Sequence, residues 1–201
     1  MAIKVANNQS LTAITALPSA VSGGAITLLA TETASSSATI TFDSSIDDTY
    51  DEYIFTFIDV HPATDGALFQ VNFRDGSSAY DATKTTTSFR TYHDEADSDT
   101  TLGYYAAGDL AQGTGVQRIA GAGIGSDNDQ SVSGILKLFS PSSTTFVKHF
   151  TIDSNAAADS NYSTRTLVGG YCNVTAAIDG VQFSFSSGNI DVGTFKMYGV
   201  S

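Results

Sequence analysis

Residues 68–74 read LFQVNFR, with Phe69, Val71 and Phe73 on one parity and Gln70, Asn72 and Arg74 on the other. A period of two places the apolar side chains on one face of a pleated strand and the polar ones on the opposite face. The pattern returns in VQFSFS (181–186), where Val181, Phe183 and Phe185 oppose Gln182, Ser184 and Ser186, and in TFKMY (194–198), where Phe195 and Met197 oppose Lys196 and Tyr198. YIFTFIDV (53–60) is apolar on both parities for most of its length, which predicts a central strand covered on both faces.

Between these runs lie short punctuators: His61-Pro62-Ala63-Thr64-Asp65-Gly66, Asp75-Gly76-Ser77-Ser78, Ser140-Pro141-Ser142-Ser143, Asp179-Gly180 and Ser187-Gly188-Asn189. Each holds a residue that tolerates positive φ, presets φ, or bonds its own backbone. Only Tyr104–Gln112 and Asn155–Ser160 leave room for a turn or two of helix. Many short strands with frequent turn signals predict an all-β fold, an antiparallel β-sandwich of jelly-roll type. Its expected core is Phe55, Phe57, Phe69, Val71, Phe73, Leu136, Leu138, Phe150, Phe183, Phe185 and Phe195.

The chain divides by composition. Residues 1–41 hold one basic residue, Lys4, one acidic residue, Glu32, and no aromatic, so the segment has little to bury. Residues 1–40 are expected to form an extended N-terminal arm or edge strands used in assembly, and 41–201 the sandwich. The first ten residues turn polar where an export signal carries an apolar run, and no apolar stretch approaches ~18 residues, so neither export nor membrane insertion is expected.

Nine Lys and Arg against 21 Asp and Glu give a net charge of −12, with no basic cluster to neutralise phosphates, which argues against nucleic acid as a partner. Only 15% of residues are charged, while 25 Ser and 25 Thr supply hydroxyls to wet the surface. Cys172 is alone, so no intrachain disulfide forms, and a structural thiol in a half-buried strand is expected.

Residues with reactive chemistry are sparse. His61, His93 and His149 show no zinc-hydrolase spacing, and no Gly-x-Ser-x-Gly elbow exists. No catalytic residue, cofactor or metal is therefore expected. Asp94, Glu95, Asp97 and Asp99 are the densest carboxylates, but a calcium loop started at Asp97 places Leu102 where Gly is needed and Gly108 where Glu is needed. A solvated acidic loop at 94–99 is the better reading, with a loosely held cation as the minority case. Gly121-Ala122-Gly123-Ile124-Gly125 lacks the final glycine of a dinucleotide fingerprint and reads as a flexible loop or bulge. Tyr92, Tyr104 and Tyr105 fall around the acidic loop. With Asp97 they are the candidate ligand-binding residues, since rings stack on sugar C–H faces and carboxylates accept hydroxyl protons; the alternative is that the rings simply anchor sheet or loop.

Three stretches, YDEYIFTFIDVHPATDGALFQVNF (50–73), SGILKLFSPSSTTFVKHF (133–150) and IDGVQFSFSSGNIDVGTFKMYG (178–199), together resemble small virion structural or tail-fibre-like proteins of tailed bacteriophages, especially marine ones. The resemblance covers most of residues 38–200 and brings no catalytic residues. It implies a non-enzymatic virion protein, assembled in the bacterial cytoplasm and exposed on head or tail. Its implied partners are other capsid or tail proteins and copies of itself, a trimer among them. A receptor-recognition module binding host surface glycan is the alternative.

Overall fold

The computed structural model describes residues 25–201. Among them, strands β1 (Ile26–Ser37), β2 (Ile40–Phe42), β3 (Glu52–Pro62), β4 (Phe69–Arg74), β5 (Lys84–Asp94), β6 (Thr100–Tyr104) and β7 (Leu110–Gly113) come first. They are followed by β8 (Gln117–Arg118), β9 (Val132–Phe139), β10 (Lys148–Ala157), β11 (Tyr162–Cys172), β12 (Gly180–Phe185) and β13 (Ile190–Val200). All pairings are antiparallel. The larger sheet runs β1-β13-β3-β9-β10-β11-β5-β6, with β7 also on β5, and the smaller runs β2-β12-β4-β8. Four of the pairs are nested: β1 with β13, β2 with β12, β3 with β9, and β4 with β8.

Period-two alternation decides what meets between the sheets. In the larger sheet Phe55 and Phe57 of β3 and Phe195 of β13 face inward, and in the smaller sheet Phe69 of β4 and Phe183 of β12 face them. Phe183 lies 5.3–6.5 Å, centroid to centroid, from the rings of Phe42, Phe55, Phe57, Phe69 and Phe195. Farther along the interface, Phe73 packs on Phe150 at 4.8 Å. All eleven residues expected in the core are buried, as is Met197. Gly134 has a packing reason: a Cβ there would stand 2.4 Å from the Asp153 carbonyl oxygen and 2.7 Å from the Phe57 ring, so glycine lets both β10 and the ring lie close against β9.

Three expectations change. YIFTFIDV is indeed central, since β3 lies between β13 and β9, but only one of its faces is covered. Ile54 is half-buried and Ile58 is 42% exposed on the outer face. The two short helices reduce to a single 3-10 turn at Ala106–Gly108, because residues 155–157 continue β10 and pair with Ser163–Arg165. Residues 121–125 are not a loose loop, for Ile124 is buried and bridges Ala67 and Ala158.

Of the segment assigned to arm or edge strands, residues 26–37 form an edge of the larger sheet and 40–42 an edge of the smaller. The arm expectation for the first residues falls on 1–24, outside the described residues.

Replacing Phe183 by Ala should lower unfolding stability by about 3–5 kcal/mol, the usual cost of a large cavity in an aromatic core. Urea titration followed by fluorescence or circular dichroism measures it, and a loss under about 1 kcal/mol would show that the sheets are not held through this ring.

Candidate functional site

The even-numbered side chains of β5, from Lys84 to Asp94, point to the inner face of the larger sheet and the odd-numbered ones point outward, as their burial alternates. The four-stranded sheet is too narrow to cover this whole inner face. Around Arg90 the cover comes instead from residues 119–125, anchored by the buried Ile119, Ala120 and Ile124. A Cβ on Gly121 would stand 2.7 Å from Arg90 Cδ and 2.9 Å from Thr166 Oγ1, so this glycine is what lets the backbone close over the arginine.

Arg90 is held from three sides. Its guanidinium lies 4.4 Å from the centre of the Tyr105 ring and 5.3 Å from that of Tyr92, and Nη1 donates to the Gly121 carbonyl. Tyr105 is fixed in turn by Arg118, whose Nη1 donates to its hydroxyl at 3.0 Å. Tyr92 packs edge-on against Tyr162 at 4.9 Å and donates its hydroxyl to Asp99 Oδ2 at 3.2 Å. A cleft of about 150 Å³ opens beside these groups, bounded by Arg90, Tyr92, Asp159, Ser160, Tyr162 and Thr164. Among the described residues, Arg90 meets no carboxylate at ion-pair distance.

The four sequence candidates do not form one platform. Tyr92 and Tyr105 share the inner face around Arg90. Tyr104 pairs in register with Phe89 on the outer face, is 63% exposed, and donates to Asp109 Oδ2 at 2.5 Å. Asp97 lies out in the 94–99 turn, where His93 Nε2 is its 3.1 Å partner. Arg90, Asp159, Tyr162 and Thr164 were missed. Of these only Arg90 carried a local signal, its shared parity with Tyr92 in the run RTY, whereas residues 159–164 join the cleft through the β5–β11 pairing.

The acidic loop is organised by one carboxylate. Asp94 accepts the backbone N–H groups of Ser98 and Asp99 at 2.8 and 2.9 Å and the Ser98 hydroxyl at 2.5 Å. The Ser98 hydroxyl, followed by the Asp99 amide, holds its carboxyl down at about 2. It is a turn former using its lone pairs on its own loop. A larger depression of about 430 Å³, bordered by Asp59, His61, Asp129 and Asp191, lies where β3 bulges, its pairing with β9 shifting register between Phe57 and Val60. Among the described residues no group of three or more His, Cys, Asp or Glu side chains is placed to hold a metal ion.

At the other end of β5 are two buried lysines. Lys84 and Lys148 flank Cys172 in direct register on β5, β11 and β10, and all three are fully buried. Lys84 Nζ donates to Asn72 Oδ1 at 2.5 Å and to the Ala82 carbonyl at 2.7 Å; Lys148 Nζ donates to the carbonyls of Val174 and Ser143 at 2.6 and 3.1 Å. Burial holds the Lys84 ammonium down at about 8 and pushes the Cys172 thiol up to about 12. The thiol is thus neutral and enclosed, which suits packing and not nucleophilic chemistry.

No known protein family matches the chain. No curated protein matches it either.

Asp94→Ala should lower the thermal midpoint at neutral pH, and the deficit should vanish as pH falls from about 4 to 2, because the folded carboxyl titrates below its free value of 3.8. Thermal melts across that range, compared between the two proteins, give the answer. For Lys84 the sign is opposite. The unfolded chain binds more protons between pH 8 and 10.5, so stability tied to this group rises with pH through that window. Lys84→Met removes the charge, and its stability relative to the unsubstituted protein should therefore fall as pH goes from 8 to 10, read from urea midpoints. A difference that does not change with pH would show that Lys84 is freely hydrated.

Proposed function

We propose that this chain is a non-enzymatic structural subunit of a tailed-phage virion, a head-decoration or tail-fibre protein that works by multi-copy assembly. Within this reading the fold is a jelly roll. Its support is the nested pairing: taking β1, β2, β3, β4, β8, β9, β12 and β13 as a series of eight, first pairs with last, second with seventh, third with sixth and fourth with fifth. A long hairpin wrapped into two sheets has this order, and the jelly roll recurs in viral capsid and lectin domains. Fold alone does not assign a role.

The observation that carries the assembly reading is the uncovered outer face of the larger sheet. Tyr104, Phe89, Leu167, Asp153, Ile135, Thr56, Lys196 and Thr31 stand side by side across eight strands. Leu102 at 75% exposure and Tyr104 at 63% lie at one end of it, with Phe89 and Ile135 each at 42%. Large apolar side chains gathered at one end of a broad, otherwise mixed sheet face support an interaction surface there.

Charge points the same way. The face carries Arg165, Lys137 and Lys196 against Asp153 and Glu52, and two of these cations are already paired, Arg165 with Asp153 at 2.7 Å and Lys137 with Glu52 at 3.1 Å. In a chain of net charge −12 this surface can meet a like copy without repulsion. Eight strands at ~4.8 Å spacing and about six residues of strand length give roughly 700 Å² per partner, close to a standard interface.

One observation favours a second role in glycan contact: the cleft beside Arg90, with its rings, carboxylate and hydroxyls.

Leu102→Glu combined with Tyr104→Glu should leave the fold intact, since both side chains are exposed, while abolishing concentration-dependent association in sedimentation velocity and incorporation into particles. Wild-type-level incorporation of this variant would overturn the role given to the outer face.

A further inference from the structure

We infer that the cleft beside Arg90 is a binding site for a carboxylated sugar, a single uronate-type pyranose; this rests on the glycan role and is independent of assembly. Two separate features point to a ligand. The first is the guanidinium. Held between Tyr92 and Tyr105 and pinned to the Gly121 carbonyl, it has already lost its rotamer freedom, and it has no carboxylate partner among the described residues. An arginine fixed in this way is prepared to take a planar carboxylate through two parallel N–H donors.

The second is Thr164. Its side chain is 99% buried, it borders the cleft, and its Oγ1 has no hydrogen-bond partner in the protein. A buried hydroxyl left unpaired costs free energy, and a ligand hydroxyl or a water must satisfy it.

The rest of the lining selects among anions. Asp159 shares the cleft with Arg90, so a phosphate dianion would meet a negative charge with one cation to offset it. A sugar monocarboxylate places its single charge at Arg90 and gives Asp159 and Ser160 hydroxyls to bind. The edge-packed Tyr92 and Tyr162 rings offer an apolar face for the ring C–H groups, the way aromatic side chains commonly meet a sugar. At about 150 Å³ the space takes one ring. It is smaller than the roughly 300 Å³ at which pockets for drug-sized ligands begin.

The test is a titration of the full chain with D-galacturonate, D-galactose and acetate, followed by amide NMR shifts and by saturation transfer to the sugar. Galacturonate should bind with a Kd on the order of 1 mM and shift the amides of residues 90–92 and 159–164. Galactose and acetate should each bind about tenfold more weakly or worse, since each supplies only half of the contacts. Tyr92→Ala and Thr164→Val should weaken galacturonate about fivefold or more with the melting temperature retained, and Arg90→Lys should remove the preference for the acid. Equal binding of galactose and galacturonate would overturn the acidic-sugar assignment while leaving glycan binding standing. Absence of saturable binding by either sugar would overturn both. Galacturonate binding unaffected by all three substitutions would place the sugar elsewhere and overturn the site.

Discussion

The contact between the two sheets through Phe183 is what the remaining architecture depends on. Its ring meets five others: Phe69 and Phe195 come from strands that alternate polar residues on their far side, and Phe42, Phe55 and Phe57 complete the layer. Without that layer neither sheet has a reason to keep its register, because a slip of one residue would carry each phenylalanine to the solvent side. Glycine at 134 belongs to the same constraint, since it admits the Phe57 ring against β9.

From this layer follows an asymmetry that generates both the broad outer face and the cleft beside Arg90. The nested eight strands pair evenly, four in each sheet, but β5, β6 and β7 are inserted after β4, and β10 and β11 after β9, and all five join the larger sheet alone. The smaller sheet cannot reach over them. Their inner face is sealed by residues 119–125 instead, and the seam between that segment and β5 and β11 is the cleft beside Arg90. Their outer face widens the surface on which Phe89, Leu102 and Tyr104 stand exposed.

What could be read in the sequence was whatever repeats with a period of two. Phe69, Val71 and Phe73, and Val181, Phe183 and Phe185, announce a buried face in six or seven residues, and the structure buries all of them. YIFTFIDV misled because residues apolar on both parities can signal either cover on both sides or one buried face and one sticky face; here it is the second. Tyr104 and Tyr105 were grouped although adjacent residues at a strand end point to opposite sides, a separation that parity alone would have revealed. Arg90 meeting Gly121, and Thr164 meeting the same cleft, depend on pairing between distant segments and have no local pattern. Lys84 and Lys148 were invisible for a different reason. Lysine ordinarily signals a surface, and only the partners Asn72, Ala82, Val174 and Ser143, supplied by the folded chain, make burial tolerable.

The enclosure of Cys172 between those lysines gives the molecule an internal clock. It is the one sulfhydryl in the chain, it is inaccessible in the folded state, and its neutral form is strongly favoured there. An alkylating or disulfide reagent therefore reacts only when β10, β11 and β5 part. The rate of sulfhydryl modification, with no substitution or attached dye, then reports how often the end of the larger sheet opens.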